Sequence, residues 1–194
     1  MTPNLDALWR AGRVRRWHMN ADLSWTSDFT DGHAGRVARL VRALDPECRA
    51  ELLAAALAHD DGEYVAGDLA RPAKDALDED AAGALERLEA DARGALWGVD
   101  PVALLTAEER ALLRLCDLLD AWMWAKAHLP PHVLDSGAWR ADRDRIAALA
   151  GELGLVAVGS VIGPPITIRR QERDTTEADG EGTACPGTGP TEAP

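Results

Sequence analysis

The sequence predicts an all-α fold, a compact helical bundle, on two observations. Hydrophobic residues make up 46% of the chain, much of it Ala and Leu, while Phe and Tyr occur once each. Such a composition suits helices and leaves little material for a large sheet. Apolar residues also recur at helical spacing in successive segments bounded by capping residues, Gly or Pro. The 194 residues suffice for one domain with a sizeable core.

In chain order, Asn4 caps a short helix whose stripe is Leu5, Leu8 and Trp9 and which Gly12 stops. Arg13 to His18 (RVRRWH) is a basic cluster with an indole. Such a cluster is either a solvated turn around one buried Trp or a phosphate contact with a flat wall for a sugar or base. After a loop over 20–30, Asp31 is expected to cap a helix to about Leu44, with Val37, Leu40, Val41 and Leu44 on one face and His33 one turn earlier on that face. An inward His is more often a hydrogen-bonded core residue than a ligand. Asp45-Pro46 is expected to open the next helix, which carries the apolar run Leu52, Leu53, Ala56, Leu57 into His59-Asp60. If it continues to Glu63, His59 and Glu63 share a face one turn apart.

Residues 65–69 read as a turn, followed by Arg71-Pro72-Ala73-Lys74. Asp78 to about Leu96 reads as an outer helix with Leu85 and Leu88 inward, and residues 97–105 as a connection through Gly98 and Pro101. Thr106 and Glu109 form a capping box for a helix that runs to Leu129 and stops at Pro130-Pro131. Its core stripe is Leu112, Leu115, Leu119 and Trp122, and a neighbouring stripe holds Arg114 and Asp117. Asp117 lies among leucines in LLRLCDLLD, so it is expected at least half buried and in need of a cation. A last helix spans 138–153, and an extended strap is expected over 155–168. Domain organisation is thus one domain over 1–169 and a disordered acidic Thr/Gly/Pro tail over 170–194.

The net charge of −12 argues against binding a nucleic-acid polymer, which needs a basic face; a small basic pocket for one nucleotide stays open. Cys48, Cys116 and Cys185 are odd in number and form no CxxC, which reads as a reducing compartment. Neither a signal peptide nor an apolar run long enough for a bilayer is expected, and the expected location is cytoplasmic.

A divalent ion with open positions wants two or three imidazoles and one or two carboxylates on a packed scaffold. A lone inward His33, then His59-Asp60, then Asp117 offers that set, and over roughly residues 5–130 the pattern resembles the HD-domain metal-dependent phosphohydrolases. Arg16-Trp17, Glu63 three residues after the His-Asp pair, Gly67-Asp68, Pro72 and Lys74 are similar to the compact 5′-deoxynucleotidases of the YfbR type. They are still more similar to the phage-type dATP triphosphohydrolases of the DatZ type. His18 in GRVRRWHMNADL and Arg114 three residues before Asp117 lean the resemblance to the second. Asp31-Gly32 precedes His33 where the nucleotidases usually have a Glu, which leaves open what orients His33.

The resemblance implies a compact HD-domain bundle in which His33, His59, Asp60 and Asp117 hold one cobalt, zinc or manganese ion, with room for magnesium on the substrate phosphates. It implies Glu63 as the group that positions or deprotonates a water or protonates the leaving oxygen, helped by Asp68. Arg16, Lys74 and Arg114 would bind phosphates, Trp17 would pack on the deoxyribose, and His18 would contact base or phosphate or lie on the surface. The implied reaction converts dATP, or another dNTP, to deoxynucleoside and triphosphate; the alternatives are a 5′-deoxynucleotidase and a non-catalytic nucleotide-binding HD domain. A (p)ppGpp hydrolase ranks below these, since Glu63 is followed by Tyr64 rather than an acid. The relatives are dimers or hexamers, so a homo-oligomer, which would be host-cytoplasmic if phage-encoded, is expected.

Overall fold

The structure is a computed structural model that describes residues 3–163. Among them the helices are α1 (Leu5–Ala11), α2 (Thr30–Leu44), α3 (Ala50–Ala58), α4 (Glu63–Ala66), α5 (Arg71–Asp75), α6 (Glu79–Trp97), α7 (Ala107–His128), α8 (Pro131–Leu134), α9 (Gly137–Glu152) and α10 (Ala157–Ile162), with a 3-10 turn at Pro101–Leu104. No strand occurs among the described residues; one isolated bridge pairs Arg15 with Phe29. The all-α expectation holds.

Local chemistry sets several boundaries as expected. The Asn4 side chain accepts from the Ala7 N–H at 3.1 Å, Asp78 accepts from Ala81 at 2.8 Å, and Thr106 and Glu109 cap each other reciprocally. Other boundaries differ. Helix α2 starts at Thr30, so Asp31 lies in its first turn rather than at its cap. Asp45 and Pro46 sit in a turn, and α3 starts at Ala50. Helix α3 ends at Ala58, so Glu63 belongs to the separate α4 and not to a continuous face with His59. Leu88 is exposed, and α6 buries Ala92, Arg93 and Leu96 instead. Of the strap expected over 155–168, Ala157–Ile162 is helical. Its last residues and the expected tail lie outside the described residues.

The core has two lobes that meet at Leu40, Leu44, Leu153 and Leu155. One gathers Leu115, Leu119, Trp122, Trp139 and Ile146 between α7 and α9. The other gathers Val37, Val41, Leu52, Leu112 and Cys116 between α2, α3 and α7. Because α7 packs on both α2 and α9, its stripes are divided between apolar packing and one polar face. That polar face is turned toward His33.

Candidate metal centre

His33 is fully buried on α2. Its Nδ1 lies 2.7 Å from Asp120 Oδ2. A carboxylate can only accept, so Nδ1 carries the hydrogen and Nε2 presents a lone pair. Asp120 is itself buried and fixed by Arg36, whose Nε donates to Oδ1 at 2.7 Å and whose second guanidinium nitrogen donates to Oδ2 at 3.1 Å. The same guanidinium also donates to both oxygens of Asp28, at 3.0 and 2.9 Å. The Asp120 carboxyl is held below its ordinary range: desolvation would raise it, but the hydrogen bonds from His33 and Arg36 outweigh that.

His59 caps the C-terminal end of α3, and its Nδ1 donates to the Ala56 carbonyl at 2.9 Å. In the neutral imidazole its Nε2 therefore also presents a lone pair, and the two Nε2 atoms face each other at 3.1 Å. Asp60 Oδ2 is 3.3 Å and Asp117 Oδ1 is 3.2 Å from His33 Nε2. Asp60 Oδ1 is 3.5 Å and Asp117 Oδ1 3.9 Å from His59 Nε2. Ligand atoms of His33, His59 and Asp60 lie within 4.8 Å of one another. Asp117, 37% exposed, closes the group on its open side.

Two lone pairs and two carboxylates aimed at one point repel unless a cation lies among them. Burial alone would lower the His59 imidazole, yet Asp60 and Asp117 bring it up to about 9. The surroundings of His59 thus favour positive charge at this point. Two imidazoles and two carboxylates are the donor set of a borderline divalent ion, so these residues fit a transition metal. Asp117 is held well below its ordinary range: desolvation would raise it, but the attraction of the His33 and His59 imidazoles outweighs that.

The remaining expected residues are placed unevenly. Glu63 is buried, and its Oε2 has no hydrogen-bond partner. Burial, then Asp60 and Asp68, push its carboxyl up to about 10 against the pull of Lys74 and Arg16. Lys74 Nζ stands 3.7 Å from Glu63 Oε1. Arg16 is buried beside the cluster, 3.6 Å from Asp28, 3.9 Å from Asp60 and 3.8 Å from Asp120, with Nη1 unpartnered.

Trp17 has φ 65°, the left-handed region that a bulky residue enters only at a cost of about 1–3 kcal/mol. Its N–H donates to Asp68 Oδ2 at 3.0 Å and its Nε1 to Asp28 Oδ2 at 3.3 Å, and its ring packs tilted on Trp139. These bonds hold the strained turn and bring Asp68 to the basic segment. His18 is partly exposed, with Nδ1 3.0 Å from the Arg15 carbonyl and 3.8 Å from Asp68. Arg114 is exposed on α7, one turn before Asp117, and no hydrogen bond or ion pair among the described residues ties it to the cluster.

Sequence reading passed over Asp28, Arg36, Asp120 and Arg93. Asp120 was available as the second Asp of LLRLCDLLD, three residues after Asp117. It supplies from α7 the orienting carboxylate that the Asp31-Gly32 departure left open. Asp28 lies in an irregular segment, where periodicity gives no direction. Arg93 donates to the His59 carbonyl at 3.3 Å and pairs with Asp100 at 2.9 Å, anchoring the turn that carries the pair.

No family model matches the chain, and no curated protein matches it. Among solved structures, the cyanophage S-2L HD phosphohydrolase DatZ, bound to dA and one catalytic Zn2+ ion, matches with 21% identity and a TM-score of 0.61; the match covers 84% of this chain and 93% of that one. The fold is therefore that of an HD-domain phosphohydrolase. No described helix is long and apolar enough to cross a membrane.

Proposed function

We propose that this protein is a metal-dependent phosphohydrolase of 2′-deoxynucleotides that converts dATP to deoxyadenosine and triphosphate. The observation that carries the reading is the pair of Nε2 lone pairs at 3.1 Å, ringed by Asp60 and Asp117 and backed by committed Nδ1 hydrogens. A structural histidine pair has no reason to face lone pair to lone pair. The likeness to an HD phosphohydrolase bound to dA and zinc supports the substrate class.

His33, His59, Asp60 and Asp117 would hold one cobalt, zinc or manganese ion, which when bound lowers the pKa of a water toward neutrality and polarises a phosphoryl oxygen. Hydrolysis to triphosphate forms a bond from water oxygen to the α-phosphorus and breaks the bond from phosphorus to the 5′-oxygen. That leaving oxygen needs a proton. Glu63, buried and pushed up to about 10, holds one near neutral pH and is the group placed to give it. Arg16, with a buried unpartnered Nη1, and Lys74 bind phosphate oxygens. Trp17 offers its ring to the sugar, Asp68 the 3′-hydroxyl contact, and His18 an outer contact at the mouth.

A second reading, a 5′-deoxynucleotidase releasing phosphate from dNMPs, is favoured by Arg114. Because it stands apart from the cluster, Arg16 and Lys74 are left as the basic groups beside the metal ligands, which suits a single phosphate. Product analysis separates the two. The protein with cobalt or zinc is incubated with each dNTP and dNMP, and products are resolved by anion exchange. Inorganic triphosphate from dATP is expected. Phosphate from dNMPs, with dNTPs intact, replaces the first reading by the second, and no product under any metal sinks both.

A further inference from the structure

Lys74 is flanked by two carboxylates, and only Glu63 belongs to the reading above. The second is Glu89, on α6, whose Oε1 lies 3.6 Å from Lys74 Nζ against 3.7 Å for Glu63 Oε1. Neither separation is a closed hydrogen bond. Glu89 Oε1 and Glu63 Oε2 are both buried without a hydrogen-bond partner, an arrangement folded proteins rarely tolerate without a use. The backbone holds the two acids at this spacing. Gly62 lies so close to α6 that a Cβ there would sit 2.6 Å from the Glu89 carbonyl oxygen and 2.7 Å from its Cα and Cβ. Four residues on, Arg93 of the same helix holds the His59 carbonyl, so α6 braces the cluster and Lys74 together.

We infer that Glu89 is a positioning residue: as the counter-ion of Lys74 it holds the ammonium off Glu63, leaving the Glu63 carboxyl unpaired toward the substrate and Lys74 N–H groups open to phosphate. The inference rests on the function proposed above. Lys74 Nζ stands almost equally far from both acids, 3.6 Å from Glu89 Oε1 and 3.7 Å from Glu63 Oε1, so the loss of either partner frees it to close on the other. Burial opposes the charge on Lys74, yet Glu89 first and Glu63 second raise it above its ordinary value. With the charge at position 89 removed, Lys74 turns from its midway place to Glu63 and closes the 3.7 Å gap, so that neither group stays open to the substrate.

The test is a double-mutant cycle of Glu89→Gln and Lys74→Met, assayed with cobalt and whichever of dATP or dAMP the wild type hydrolyses. Glu89→Gln is expected to lower kcat and raise KM, with kcat/KM down about tenfold or more, and to add nothing in the Lys74→Met background, the non-additivity of residues that act through one another. Unchanged kcat, or the same factor in both backgrounds, overturns the inference.

A second readout needs no turnover. The chain has two lysines, Lys74 and Lys126, so lysine-selective NMR resolves each. The Lys74 titration is expected to move down in Glu89→Gln while Lys126 stays in place. Should that variant not fold, Glu89→Asp, which lengthens the pair, is expected to move Lys74 in the same direction by less. A Lys74 signal that does not move rejects the pairing. An inactive wild type sinks the proposed function, while the NMR still decides whether Glu89 pairs with Lys74.

Discussion

The two walls of the candidate site are built to opposite standards. On the α2–α7 wall, His33, Asp120, Arg36 and Asp28 form a saturated chain of contacts at 2.7–3.1 Å. On the wall formed by Arg16, α4 and α5, the charged groups stand 3.6–3.9 Å from their partners. There Arg16 Nη1 and Glu63 Oε2 are buried without hydrogen bonds. A saturated network fixes geometry, because each member would leave a buried orphan if it moved. An unsaturated one keeps its hydrogen-bonding capacity for what arrives. Under the proposed function the first wall would hold the metal and the second would handle the substrate, and the contrast can be broken by substitutions that ought to separate them.

The largest effect is expected from His59→Ala or Asp117→Ala. Each removes a donor at the point where both walls meet, so metal binding and activity are lost together, read as metal per protein by mass spectrometry and as turnover. Full activity in a metal-stripped Asp117→Ala protein rejects the centre.

Glu63→Gln sharpens the division. It keeps the proposed ligands and loses the proposed proton donor, so metal content is expected to stay at the wild-type level while kcat falls about 10²–10⁴-fold. An unchanged kcat takes Glu63 out of the mechanism.

Asp120→Ala tests the saturated wall. With no contact to the ion's place, Asp120 acts only by holding the His33 tautomer, and its loss is expected to weaken metal affinity about 10–100-fold. Titration with zinc by calorimetry reads it, and affinity equal to wild type shows that His33 orients itself.

A further effect is graded with pH. A metal ion must displace the proton that His59 holds up to about 9. Below that value protons compete, so affinity is expected to rise as pH rises, by about tenfold per unit, and to level off as the imidazole becomes neutral near 9. A flat profile between pH 6 and 8 shows that no proton occupies the centre.

The legibility of the site followed the same division. Asp117 could be placed from the sequence because a long capped helix has a reliable period, and an acid among leucines on it must face something polar. Asp120 on the same helix went unread, because a stripe that packs against two partners does not say which residues meet the cluster. The break between His59 and Glu63 was hidden for a different reason. Helix α3 ends without Gly or Pro directly after Ala58, so nothing in the sequence contradicts continuation. The tight seat of Gly62 on α6 explains why the chain turns there.

By itself the sequence determined the helical class and the capped ends of α1, α6 and α7. These depend on interactions within a few residues, where spacing alone sets direction. Only the tertiary structure decided that Asp120 and Arg36 orient His33, that Arg16 and Glu63 are left unpartnered, and that Glu89 shares Lys74. Each joins residues far apart in the chain through burial and distance, and a buried charge takes its character from neighbours that local pattern cannot name.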